Sequence, residues 1–219
     1  MRSKERTVGL LWVLAVFAAG TSVHAGPTYH FVDITNPSSV DAAIGESQLF
    51  MEVLPGPGSA QVEFLFTNTG PLACSITDVY FDDGVLLGLS TIINNPPVVQ
   101  FSSPATPADL PGGNLVIPPF VTTDQFSADS DTPIMTNGVN PGEALGIVFD
   151  LQAGGTYADV LDDLDSSDLR VGIHVQAFPD GLSESFINGT AIPAPGAALL
   201  CLLGAGLVDR LRRRRMLGN

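Results

Sequence analysis

Alternation is the feature that leaves this chain the least choice of fold. Val62, Phe64 and Phe66 alternate with Gln61, Glu63, Leu65 and Thr67, and Leu49, Met51 and Val53 alternate with Gln48, Phe50 and Glu52. The same period recurs at Val79 and Phe81 between Asp78, Tyr80 and Asp82, and again at Leu145, Ile147, Phe149 and Leu151. Val171, Ile173, Val175 and Ala177 alternate with Arg170, Gly172, His174 and Gln176. A period of two puts one set of side chains on one face of a β-strand, so each segment carries a face to bury. Turn signals stand between the segments, among them Pro55-Gly56-Pro57-Gly58, Asp82-Asp83-Gly84 and Pro179-Asp180-Gly181. The 23 Gly and 17 Pro of the 219 residues argue against a helical bundle. The pattern predicts a mainly β fold, an antiparallel β-sandwich or jelly-roll-like domain.

One short helix is expected within this domain. Thr156 followed by Asp159 forms a capping-box-like start, and Tyr157, Val160, Leu161 and Leu164 recur at helical spacing. Residues 94–140 are proline-rich with little periodicity, which predicts a long surface excursion holding one or two strands. Asn188-Gly189-Thr190 stands where a flexible stalk would leave the domain.

The charge of −14 is unevenly spread. Residues 26–190 hold 21 acids and a single base, Arg170, a net of −20. Such a surface argues against a nucleic-acid partner. Nucleophile machinery is missing: Gly181-Leu182-Ser183-Glu184-Ser185 lacks the second glycine of a nucleophile elbow. Beyond residue 25 the histidines are His30 and His174, and Cys74 has no visible cysteine partner in the domain. No enzymatic activity is expected. No cofactor is expected either, with structural Ca2+ as the one ion the acids could hold. The clusters Asp129/Asp131 and Asp162/Asp163/Asp165 offer hard oxygen ligands but lack the glycine and closing Glu of the EF-hand loop. Arg170, His174 and Gln176 share one strand face, which makes them the candidate recognition surface for a polysaccharide.

The two ends are of another kind. Arg2, Lys4 and Arg6 precede an apolar run at residues 8–20, and Val23-His24-Ala25 gives the small–x–small site of a signal peptidase. Thirteen apolar residues make a helix of about 20 Å, against a hydrocarbon core of about 30 Å. Residues 1–25 are therefore expected to direct export through the Sec machinery and to be cleaved after Ala25. At the other end, Pro193-Ala194-Pro195-Gly196 is followed by an apolar stretch at residues 197–208 and then by Arg210, Arg212, Arg213, Arg214 and Arg215. This predicts a short transmembrane helix with the basic cluster stopped at the cytoplasmic face and the body outside.

This tail resembles the PEP-CTERM sorting signal. Pro193 and Pro195 match the two prolines of its motif and Arg212 to Arg215 its basic end, while Ala194 stands where the family has Glu. The resemblance implies recognition by an exosortase and a cell-surface or extracellular-matrix location, commonly alongside exopolysaccharide. The segments Tyr80-Phe81-Asp82-Asp83-Gly84, Gly138-Val139-Asn140-Pro141-Gly142-Glu143 and Leu169-Arg170-Val171-Gly172-Ile173-His174-Val175-Gln176 are also similar to a β-rich ectodomain found on such carriers, as is Ser183-Glu184-Ser185-Phe186 with Asn188. The organisation expected is a signal peptide (1–25), an acidic ectodomain (26–190) and a sorting signal (191–219). The alternative is a calcium- or carbohydrate-binding module held by a plain membrane anchor.

Overall fold

The computed structural model describes residues 26–35, 38–95 and 97–192. Ala25, the Pro193–Gly196 motif, the expected transmembrane helix and the arginines from Arg210 onward lie outside the described residues. Among the described residues no helix is long and apolar enough to cross a membrane.

The fold is mainly β. Among the described residues ten strands are joined in one antiparallel sheet: β1 (Thr28–Asp33), β2 (Leu49–Pro55), β3 (Gln61–Asn68), β4 (Ser75–Asp83), β5 (Leu86–Ile93), β6 (Phe101–Ser102), β7 (Ser127–Ser130), β8 (Ala144–Leu151), β9 (Leu169–Gln176) and β10 (Glu184–Ile192). Their order is β5-β8-β3-β2-β1-β10-β9-β4-β7-β6. The alternating residues read from sequence lie on the faces expected of them. Met51, Val53, Val62, Phe64, Phe66, Val79, Phe81, Ile147, Phe149, Val171, Ile173 and Val175 are all fully buried.

Aromatic contacts show how the sheet curls. Phe81 on β4 packs edge-on against Phe149 on β8 at 4.6 Å between ring centroids and against Phe64 on β3 at 5.0 Å. Strands β3 and β8 lie near one end of the sheet order and β4 near the other, so the sheet bends back until its two halves share one core. Edge-to-face pairs suit the ring quadrupole and add to the area each Phe buries.

The helix expected within the domain is present as α3 (Tyr157–Ser166), and among the described residues two more were not foreseen: α1 (Ser39–Gln48) and the single turn α2 (Ile134–Asn137). Helix α3 starts as its sequence predicts, with Thr156 and Asp159 in a reciprocal capping box and Val160 and Leu164 turned inward. Helix α1 has no clear apolar stripe. Ser38 caps it, Ile44 and Gln48 are buried, and Gly45 lies against the Phe186 ring, where a Cβ would collide. Tertiary packing makes this helix rather than propensity.

The expected stalk is also corrected. Asn188, Gly189 and Thr190 lie inside β10, paired with β1, and Thr28 stands opposite Ile192. The sheet therefore continues to within one residue of Pro193.

Because Phe81 touches three other rings, Phe81→Ala is expected to cost about 3–5 kcal/mol. Urea denaturation of the variant measures this as a lower midpoint with an unchanged slope.

Candidate functional site

Residues of β9 that point away from the core are Arg170, Gly172, His174 and Gln176. Beside them on β4 stand Asp78, Tyr80 and Asp82, with Asp78 registered against His174 and Asp82 against Arg170. The spacing of four residues on both strands is what lets two acids meet Arg170 and His174 across one antiparallel pair. Sequence reading named Arg170 and His174 but missed both partners, although that matching interval was there to find.

Arg170 does not face solvent as a recognition group. Its side chain is 15% exposed and forms an ion pair with Asp82. The guanidinium also donates to the carbonyls of Pro118 and Pro119, both at 2.7 Å, and stacks 5.4 Å from the centroid of Phe120. The planar fork serves all of these at once, which an ammonium could not do. Arg170 thus fastens the proline-rich excursion onto the outer face of the sheet.

That excursion has a small core of its own. Leu110, Ala105 and Phe120 pack on Tyr80, with Ile34, Val116 and Ile187 at the margin. Gly172 leaves the necessary room, since a Cβ there would stand 2.6 Å from Leu110 Cδ2. Few of the loop's backbone groups have a ladder to join, so outward side chains of the sheet supply partners. Ser127 Oγ accepts from the Ala105 N–H, Asp129 Oδ2 from the Thr106 N–H, and Asp82 Oδ2 from the Val121 N–H. Tyr80 donates its hydroxyl to the Pro107 carbonyl at 3.1 Å. Burial, then the nearby Asp78 and Asp129, pushes the Tyr80 hydroxyl up, so it remains a donor throughout the physiological range.

His174 Nδ1 lies 2.9 Å from Asp78 Oδ2, and Thr77 Oγ1 donates to the same oxygen at 2.7 Å. The contact is an ion pair whenever the imidazole is protonated. Ser185 is registered on the far side of His174, giving an Asp78–His174–Ser185 row across three strands. Ser185 is only 1% exposed, however, and its hydroxyl has no hydrogen-bond partner. The row therefore holds an oriented imidazole without an activated, accessible hydroxyl.

The calcium candidates are dispersed. Asp129 accepts from Thr106 and is raised by burial, a rise the Thr106 bond opposes and Asp78 and Asp131 reinforce. Asp131 accepts from Ser102 Oγ at 2.8 Å. Asp163 caps the Val85 N–H, Asp165 meets the Tyr29 hydroxyl at 3.5 Å, and Asp162 is exposed on α3. Among the described residues no three His, Cys, Asp or Glu side chains converge as a metal set.

Cys74 is buried in a polar knot rather than presented for reaction. Gln48 Nε2 donates to Cys74 Sγ and Asn68 Oδ1, both at 3.0 Å, and Asn68 Nδ2 donates to the Cys74 carbonyl at 2.9 Å. Burial raises the thiol, against the opposing Gln48 and Asn68 bonds, and keeps it protonated. Gln176, the last member of the β9 row, opens on a cleft of about 400 Å³ walled by Ala177, Gly181, Leu182, Ser183 and Met135.

Comparison with protein-family models, curated proteins and solved structures gives no match.

Removing the clamp has a local signature. Arg170→Ala is expected to cost on the order of 2–3 kcal/mol and Arg170→Lys somewhat less. In both, hydrogen exchange should accelerate across residues 103–126 while β2, β3 and β8 keep their protection.

Proposed function

We propose that this chain is an exported, non-catalytic cell-surface or matrix protein whose C-terminal segment is a sorting signal processed by an exosortase. The acidic body is read as a jelly-roll-like β-sandwich ectodomain, with a structural or interaction role linked to exopolysaccharide. One observation carries the reading: Pro193-Ala194-Pro195-Gly196, an apolar stretch and an arginine cluster follow one another at the end of a chain that opens on an export-like segment. The charge layout supports it. Basic residues lie at both ends and the body between them is −20 with one base, the distribution expected when the ends meet the cytoplasmic side of a membrane and the body does not. Signal peptidase, the Sec machinery and an exosortase are then the partners of the ends.

The architecture of the body is compatible with such handling. Strand β10 keeps its pairing with β1 up to Ile192, so cleavage beyond it would leave the sheet whole. A second reading, a carbohydrate-binding module on a plain anchor, draws on the cleft beside Gln176. Its lining is uncharged in an otherwise strongly acidic body, which suits a neutral polyhydroxy ligand. With Arg170 engaged by Asp82 and the loop, recognition would fall to Gln176 and Ser183.

The leading reading is tested by expressing the chain, tagged in the exposed turn at Pro57–Ser59, in hosts with and without an exosortase. A shortened, relocated product that needs both the enzyme and Pro193 and Pro195 is expected. Identical mass and location in both hosts would defeat it. Heat from a neutral glycan in calorimetry, lost in Gln176→Ala, would favour the second.

A further inference from the structure

Gly26, the residue after the expected cleavage point, is held more closely than a strand end requires. Its backbone nitrogen donates to Glu52 Oε1 at 2.7 Å, and both residues are half-buried. The carbonyl of Pro27 accepts from the Val53 N–H at 3.1 Å, and the Tyr157 hydroxyl donates to the Val53 carbonyl at 2.8 Å. A Cβ on residue 26 would collide with that same Val53 oxygen, so a glycine is what lets the nitrogen reach Glu52.

In the uncut chain Glu52 accepts from an ordinary backbone N–H. Cleavage after Ala25 changes what that nitrogen is. Hydrolysis by signal peptidase adds one water across the Ala25–Gly26 amide. Ala25 departs as a carboxylate, and Gly26 keeps its nitrogen, which is an ammonium at neutral pH. We infer that Glu52 is the docking site of this new α-ammonium, so that removing the export segment fastens the start of β1 onto β2. The inference rests on the export reading and gives it a structural consequence. A neutral N–H bonded to a carboxylate is exchanged for a charge-assisted pair, roughly twice as strong. Solvent screens part of that gain, because the pair is half-buried.

The charge of the body favours the pairing. Residues 26–190 hold 21 acids against Arg170 alone, and Lys4 is the single lysine of the sequence. Arg170 is taken by Asp82, so the ammonium of Gly26 is the second cation of the body and Glu52 the carboxylate placed beside it. The effect reaches the other end of the domain through β1. Thr28 is registered against Glu52 on one side and against Ile192 on the other. A docked N-terminus therefore steadies the strand on which β10 ends, one residue before Pro193.

Once Lys4 is removed with the export segment, the α-amine of Gly26 is the one primary amine of the chain, which makes the test specific. Residues 26–219 are produced behind a leader whose protease leaves Gly26 first, and the protein is compared before and after the cut. At about pH 7 an amine-directed ester should acylate Gly26 roughly tenfold more slowly in the wild type than in Glu52→Gln, because acylation needs the free base that a neighbouring carboxylate disfavours. Cutting should raise Tm by roughly 2 °C in the wild type and leave Glu52→Gln unchanged, the size of a partly screened pair in a domain this large. Gly26→Ala, whose Cβ meets Val53, should acylate as fast as Glu52→Gln. Equal acylation rates in wild type and Glu52→Gln, or a Tm gain that survives in Glu52→Gln, overturns the docking. Mass spectrometry of the chain exported with its own first 25 residues keeps the two readings apart. An N-terminus other than Gly26 defeats the export reading and the docking with it, whereas fast acylation of a chain that begins at Gly26 defeats the docking alone.

Discussion

The contact of Phe81 with Phe64 and Phe149 decides where everything else can stand. It draws β4 against β3 and β8, which the sheet order places far apart, and so turns a ten-stranded ribbon into an enclosed core. Once Val79 and Phe81 face inward, Asp78, Tyr80 and Asp82 must face outward, because side chains alternate along a strand. Those three residues are the fixed points of the outer face: Tyr80 roots the second apolar cluster, Asp82 holds Arg170, and Asp78 holds His174. The proline-rich excursion is thus attached to the back of the same strand that closes the core.

Legibility in the sequence followed the strength of that alternation. Strands β2, β3, β4, β8 and β9 each carry an apolar face backed by more polar residues, and all five were readable. Strand β5 reads LLGLSTII, without alternation, and its pairing with β8 contains two register shifts. Pairing there is set by the neighbour rather than by pattern. Strand β10 mixes a buried Glu184 and Ser185 with polar residues, so its Asn188-Gly189-Thr190 segment read as a stalk, and only its pairing with β1 makes it a strand. Helix α1 was hidden for a related reason. Its Gly45 weakens a helix in isolation, and only the approach of the Phe186 ring explains why a residue without a side chain stands there.

The functional groups divide in the same way. Arg170 and His174 were visible as rare residue types in an acidic domain, and their partners could have been paired by interval alone. What the sequence could not show was that Arg170 would be consumed by the loop it anchors. The role of the buried Glu184, which accepts from Thr35 and Ser38, was invisible because those partners lie at the far end of the domain in the chain. In a body with 21 acids, no single carboxylate stands out by composition.

The acidity itself acquires a structural cause. A fold made of short strands and long turns leaves many backbone N–H groups outside any ladder, and each needs an acceptor. Carboxylates supply it: Glu52 accepts from Gly26, Glu46 from Asp33, Asp163 from Val85, Glu143 from Asn140 and Asp159 from Thr156. Lysine and arginine carry only donors and cannot serve in that role. The imbalance of charge is therefore partly an imbalance of hydrogen-bonding need, and its cost is the mutual repulsion of acids that no nearby base offsets. That repulsion is screened over about 8 Å at physiological salt, which protects the dispersed caps.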